Sequence, residues 1–212
     1  MSYLADVAAL ARKDLLLELR AKETLPSMVL FGVAMLVVFR FALPADAPER
    51  ASGGLLWVAI LFVALLGLTR AFVAEREQHV LDALVLAPSD RSAIWLAKAA
   101  ATFAFLAAAE AVAVPAYVLF FGGVGWATLV AVALADIGLC AVGALLAAMA
   151  VAGRARELLL PLLFLPLAIP VLIGGVGSTV TDDPARYLAF LALYDGVFAI
   201  LAWASFEYVV TE

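Results

Sequence analysis

The apolar runs in this chain are too long for a soluble core. "GGLLWVAILFVALLGLTRAF", residues 53–72, carries no charged side chain before Arg70. A hydrocarbon core roughly 30 Å thick is crossed by about 20 helical residues. Comparable runs recur at Pro26–Leu43, Ile94–Phe121, Ala127–Ala152, Leu158–Val176 and Tyr187–Val210. Backbone groups left unpaired in lipid are costly, so each run is predicted to be helical. The predicted fold is therefore all-α: a polytopic membrane protein whose six transmembrane helices form a single domain over residues 1–212. Composition agrees. Only 15% of residues are charged and 67% are hydrophobic, whereas a soluble domain carries about a quarter charged residues.

Lysine and arginine placement orients the spans. With the N-terminus inside, one side holds Arg12, Lys13, Arg20, Lys22, Arg70, Arg76, Arg91, Lys98, Arg154 and Arg156, and the other only Arg40, Arg50 and Arg186. Both termini are expected in the cytoplasm, in a bacterial inner membrane. Ala45-Asp46-Ala47 has the small-residue pattern of a leader cleavage site, but the long segment before the first run and Arg40 in its last turn disfavour that reading.

Two segments outside the spans have helical patterning. In residues 1–25, Leu4, Val7, Ala8, Ala11 and Leu15 form a stripe at i, i+3, i+4 spacing, the pattern of an amphipathic helix in the interface. It serves either as a plain cationic anchor or as a lever preceding the first span. Within residues 74–92, Val80, Leu81, Leu84 and Val85 share one face, Glu75, Arg76, Glu77 and Asp82 stay polar, and Pro88 ends the helix. That rod is too short to span, so its apolar face needs the lipid interface or another protein.

The order "EREQHVLDALVLAPSDRSAIWLAK" resembles the coupling segment in permease subunits of type-2 (exporter) ABC transporters. Glu75-Arg76-Glu77, Leu81-Asp82, Leu84-Val85, Pro88, Ser89 and Lys98 occupy the matching places. His79-Val80 stands where that family often has glycine-threonine or glycine-serine. The resemblance implies a coupling helix seated on a separate ATPase subunit and a second copy of this chain. No G-x-x-x-x-G-K-[ST] occurs in the sequence, so ATP is expected on the partner. Short outer loops, Trp57 in the second run and "LLLPLLFLPLAIPVLIGG" (Leu158–Gly175) further resemble the heme exporter protein B (CcmB) family of cytochrome c maturation permeases. That likeness implies a CcmA-like ATPase, CcmC-like and CcmD-like membrane subunits, and a CcmE-like heme chaperone, with heme as handled cargo. A type-2 exporter of a drug, lipid or polysaccharide, or a scaffold that moves nothing, keeps the same architecture.

Polar residues inside the spans are the remaining candidates. Glu110, Asp136 and Asp195 fall about 12–16 Å from the outer ends of three spans at 1.5 Å per residue. Intramembrane carboxyls normally face a bundle interior or a wet cavity. They either line a shared hydrated vestibule or a protomer interface, or sit separately, each protonated and bonded to a neighbouring helix. Pro161, Pro166 and Pro170 interrupt the fifth run, and Pro166, Pro170, Gly174 and Gly175 are a candidate outer gate: a kinked or re-entrant closure, or a merely bent span. Gly143 and Ala147 have the small-x-x-x-small spacing of close helix contact. The single histidine, His79, lies in the charged segment and not at membrane depth, so no heme or metal ligand set is expected on this chain. No H-E-x-x-H or G-x-S-x-G occurs, nothing suggests a nucleic-acid partner, and the expectation is a non-catalytic subunit.

Overall fold

A computed structural model describes residues 3–44, 49–70, 90–152 and 156–211. Among them run seven helices: α1 (Tyr3–Ala21), α2 (Thr24–Ala42), α3 (Glu49–Arg70), α4 (Arg91–Phe121), α5 (Trp126–Ala152), α6 (Arg156–Val180) and α7 (Ala185–Thr211). Six of them, α2 to α7, are long and apolar enough to cross a membrane. The expected all-helical polytopic architecture is what the chain adopts.

Burial divides the spans into a centre and a periphery. α3 and α5 are the most buried, while α2 and α7 show most of their surface outward. α5 packs against α3, α4, α6 and α7, and α2 covers α3 and α4 on the other flank. Leu30, Phe31, Val38 and Phe41 of α2 and Leu193, Ile200, Leu201 and Trp203 of α7 are exposed. On a spanning helix such a surface faces lipid at no cost, so close packing and polar links, more than water exclusion, must join the helices.

Small residues let the central pairs approach. A Cβ on Gly143 of α5 would lie 2.2 Å from Leu68 Cδ1 of α3, and one on Gly175 of α6 would lie 2.4 Å from the Trp57 ring. Aromatic donors then fasten the contacts. Trp57 Nε1 donates to Thr179 Oγ1 at 2.9 Å, joining α3 to α6. Trp95 Nε1 donates to the Ala141 carbonyl at 3.0 Å, joining α4 to α5, and Tyr194 Oη donates to the Leu167 carbonyl at 2.8 Å, joining α7 to α6. Each ring buries its apolar body while its single donor is satisfied, which matters more where no water competes.

Two expectations change. The fifth span is not broken: α6 is one helix over 25 residues with Pro161, Pro166 and Pro170 inside it. Its packed stripe is Leu160, Phe164, Ala168, Val171, Gly174, Gly175 and Ser178, and the three prolines stand off that stripe, half-buried or exposed. Leu162 and Pro166, whose carbonyls lose their donors to Pro166 and Pro170, are both exposed residues, and the Tyr194 hydroxyl ties α6 to α7 at the neighbouring Leu167 carbonyl. The outer turn after α6 is accordingly short, at 181–184. In α1 the packed face is rotated from the expected stripe: Leu4 is 72% exposed, while Leu10 and Leu15 pack on the core. The reason is polar, because the same face carries Asp14, which is drawn inward by a cation on α4.

Candidate functional site

The expected ATPase-docking residues Glu75, Arg76, Glu77, Val80, Leu81, Asp82, Leu84, Val85 and Pro88, together with His79, lie outside the described residues. What the structure does describe is how the two roots of that segment are held. α3 delivers the chain at Arg70, whose Nη1 donates to Glu23 Oε2 at 3.1 Å, beside the α1–α2 corner. The chain re-enters at Asp90, whose side chain caps α4 by accepting from the Ser92 amide at 2.9 Å and the Ser92 hydroxyl at 2.8 Å. The next residue, Arg91, pairs with Glu207 near the end of α7 at 3.3 Å. Ser92 Oγ lies 3.1 Å from the Tyr3 hydroxyl at the start of α1.

A buried ion pair lies between these roots. Lys98 Nζ sits 3.1 Å from Asp14 Oδ2, with side-chain exposures of 6% and 9%. Lys98 comes seven residues after Arg91, about 10 Å along α4. An ammonium at that depth is costly unless paired, so the pair obliges α1 to lie along α4. Lys13 adds to the same carboxylate at 3.0 Å. The corner between α1 and α2 is tight: Lys22 takes a left-handed conformation at φ 55°, and the Thr24 hydroxyl bonds the Glu18 carboxylate. All of these charges lie at one end of the bundle. The opposite end holds the Trp57–Thr179–Thr128 contacts and exposes Arg40 and Arg186.

Of the three intramembrane acids, two come together. Glu110 of α4 and Asp136 of α5 share a side-chain hydrogen bond and are 5% and 2% exposed. Two carboxyl groups share such a bond only while at least one proton lies between them. Asp195 of α7 meets α5 elsewhere, at Gly138, where an added Cβ would lie 2.4 Å from Asp195 Oδ1. Positions 136 and 138 are about 200° apart around a helix, so the third acid faces a different side of α5. All three carboxyls carry oxygens with no hydrogen-bond partner among the described residues. Of the expected gate residues, Gly174 abuts Leu191 and Gly175 abuts Trp57, while Pro166 is exposed and Pro170 is half-buried.

Pattern reading misses the charged links at the roots. One signal for them is present: Asp14 stands three residues from Ala11 and seven from Val7, on the apolar side of α1. A lone acid on a packed stripe asks for a partner. Lys98 enters the sequence pattern through the charge bias and the family resemblance, neither of which marks it as that partner.

Comparison with known proteins accords with this architecture. The model of the family described as CcmB protein matches residues 5–208. Heme exporter protein B of Pseudomonas aeruginosa is 33% identical over 174 residues, covering 80% of this chain and 78% of that protein. The Bradyrhizobium diazoefficiens protein of the same name is 32% identical over 179 residues, covering 82% and 80%. Heme exporter protein B of Rhodobacter capsulatus is 33% identical over 172 residues, covering 79% of each. With a match running through all seven helices, the chain belongs to the CcmB protein family.

Proposed function

We propose that this chain is the membrane permease subunit of a heme exporter complex serving cytochrome c biogenesis, driven by a separate ATPase that docks on residues 74–92. The observation that carries the reading is the family match over 5–208, joined to relatives whose name is heme exporter protein B. The geometry supports the mechanical part of it. Both roots of the docking segment are tied by ion pairs to other helices, Arg70 to Glu23 and Arg91 to Glu207. A push on the segment would thus reach α2 and α7 as well as its own flanking spans.

In this reading the chain is a transport subunit and the chemistry of ATP hydrolysis belongs to the ATPase. Heme is cargo, not a resident cofactor, and CcmC-like, CcmD-like and CcmE-like proteins handle it beside the complex. The charged end faces the cytoplasm of a bacterial inner membrane, with both termini inside, as the lysine and arginine bias favours. A second copy completes the membrane unit. Glu110 and Asp136 line a hydrated layer between α4 and α5, with Asp195 on the neighbouring face. Gly174 and Gly175 form the hinge of an outer gate, with Pro166 and Pro170 loosening α6 before them.

Docking is tested by co-purification with the ATPase subunit in detergent. Leu81→Asp with Leu84→Asp places two charges on the apolar face of the rod and is expected to abolish retention of the ATPase while membrane insertion stays intact. Full retention by this variant would overturn the docking role.

A further inference from the structure

We propose that α1 is a brace spanning both roots of the 71–89 segment, and that Asp14 and Lys98 are the positioning residues that fasten it. The inference rests on the reading of that segment as the ATPase-docking element. Three contacts along α1 carry it. At its start, Tyr3 meets Ser92, two residues past the re-entry point at Asp90. In its middle, Asp14 holds Lys98 in a pair largely hidden from solvent. At its end, Glu18 holds Thr24, and Glu23 just beyond holds Arg70, the last described residue before the segment. One helix of 19 residues therefore reaches from the point where the chain returns to the corner whose Glu23 holds the point where it leaves.

An anchor lying loosely on headgroups needs none of this. Its charges would point to water and its apolar face to lipid. Here α1 turns Asp14 inward onto Lys98 of α4, while Leu4, Leu16 and Leu19 stay exposed. The pair also has direction. Lys98 Nζ can reach only a carboxylate at one height along α4, so it sets the register of α1 against α4, and with it the spacing of Ser92 from Arg70. Removing either partner takes away this link between α1 and α4, because Lys13, the other cation at Asp14, belongs to α1 itself. The brace then shifts, and the two roots lose their common support.

The test uses the full chain co-expressed with its ATPase subunit and purified in detergent, with two readouts. The first is the yield of a short bis-maleimide cross-link between Tyr3→Cys and Ser92→Cys in a Cys140→Ala background. The second is ATP hydrolysis stimulated per monodisperse membrane chain. Asp14→Lys alone and Lys98→Asp alone are each expected to lower both readouts about tenfold, and the double exchange to restore both to within about threefold of the native chain. Native values in the folded single variants, or no recovery in the double exchange, would overturn the brace. Where the reversals fail to insert, Asp14→Asn and Lys98→Met are read in the same assays: a loss in both readouts supports the brace, and native values overturn it. If the native chain neither retains nor stimulates the ATPase, the docking reading fails, and the cross-link yields still decide whether the ion pair holds α1 in place.

Discussion

A single position, Gly175, shows how close packing stands in for water exclusion in this protein. Its Cα side presses on the six-membered ring of Trp57, where an added methyl would sit 2.4 to 2.5 Å from three ring carbons. An indole fixed by its bond to Thr179 cannot swing away. Gly175→Ala is expected to cost about 1–3 kcal/mol, the range for forcing a methyl into a filled core. A lowered midpoint of thermal unfolding in detergent checks it. Gly123→Ala is the control, since nothing lies within 4 Å of an added Cβ there, and the midpoint should not move. The close approach at Gly175 is not legible in the sequence. A glycine in an apolar run says that something comes near, but not that Trp57, distant in sequence, is what comes.

Spans are the most legible elements, because length and hydropathy are local properties and need no knowledge of neighbours. Their ends and faces depend on partners. α6 continues through its prolines with Leu162 and Pro166, whose carbonyls lose donors, on its exposed side, and that placement is visible only once the packed face is known. The acids follow the same logic. Equal depth on three helices can be counted from the residue numbers, whereas the grouping depends on rotation: Asp136 points to α4 and Gly138 to α7. Glu110→Gln with Asp136→Asn and Asp195→Asn removes the carboxylic protons and keeps the shapes. With the hydrated layer as proposed, this variant should insert normally yet lower cytochrome c maturation about tenfold or more, since intramembrane carboxyls retained against their cost mark polar pathways. Holo-cytochrome yield per unit of membrane-inserted chain is the measurement, and an unchanged yield would leave the acids a structural role only.

At the scale of the whole molecule, charge is sorted by end. Arg70, Arg91, Lys98, Asp14, Glu23 and Glu207 pair with one another at one end, and Arg40 and Arg186 stand exposed at the other. A membrane-impermeant maleimide added to intact cells should label Asp182→Cys, in the turn between α6 and α7, and leave His79→Cys unlabelled until the membrane is opened. The opposite result would invert the topology and end the case for an internal motor. The asymmetry is legible from lysine and arginine counts; the ion pairs joining those charges are not, because they cross between helices far apart in sequence. At the centre of the molecule stands α5, which touches α3, α4, α6 and α7 and lines much of that contact with Ala131, Ala135, Ala144, Ala147 and Ala148. Alanine raises no tall ridges, so neighbouring helices can approach α5 closely. That low surface is notched at Gly143, where Leu68 drops in, and at Gly138, where Tyr194 does. Those two notches fix where α3 and α7 seat along α5, since a methyl in either one would strike Leu68 or Asp195 and Tyr194.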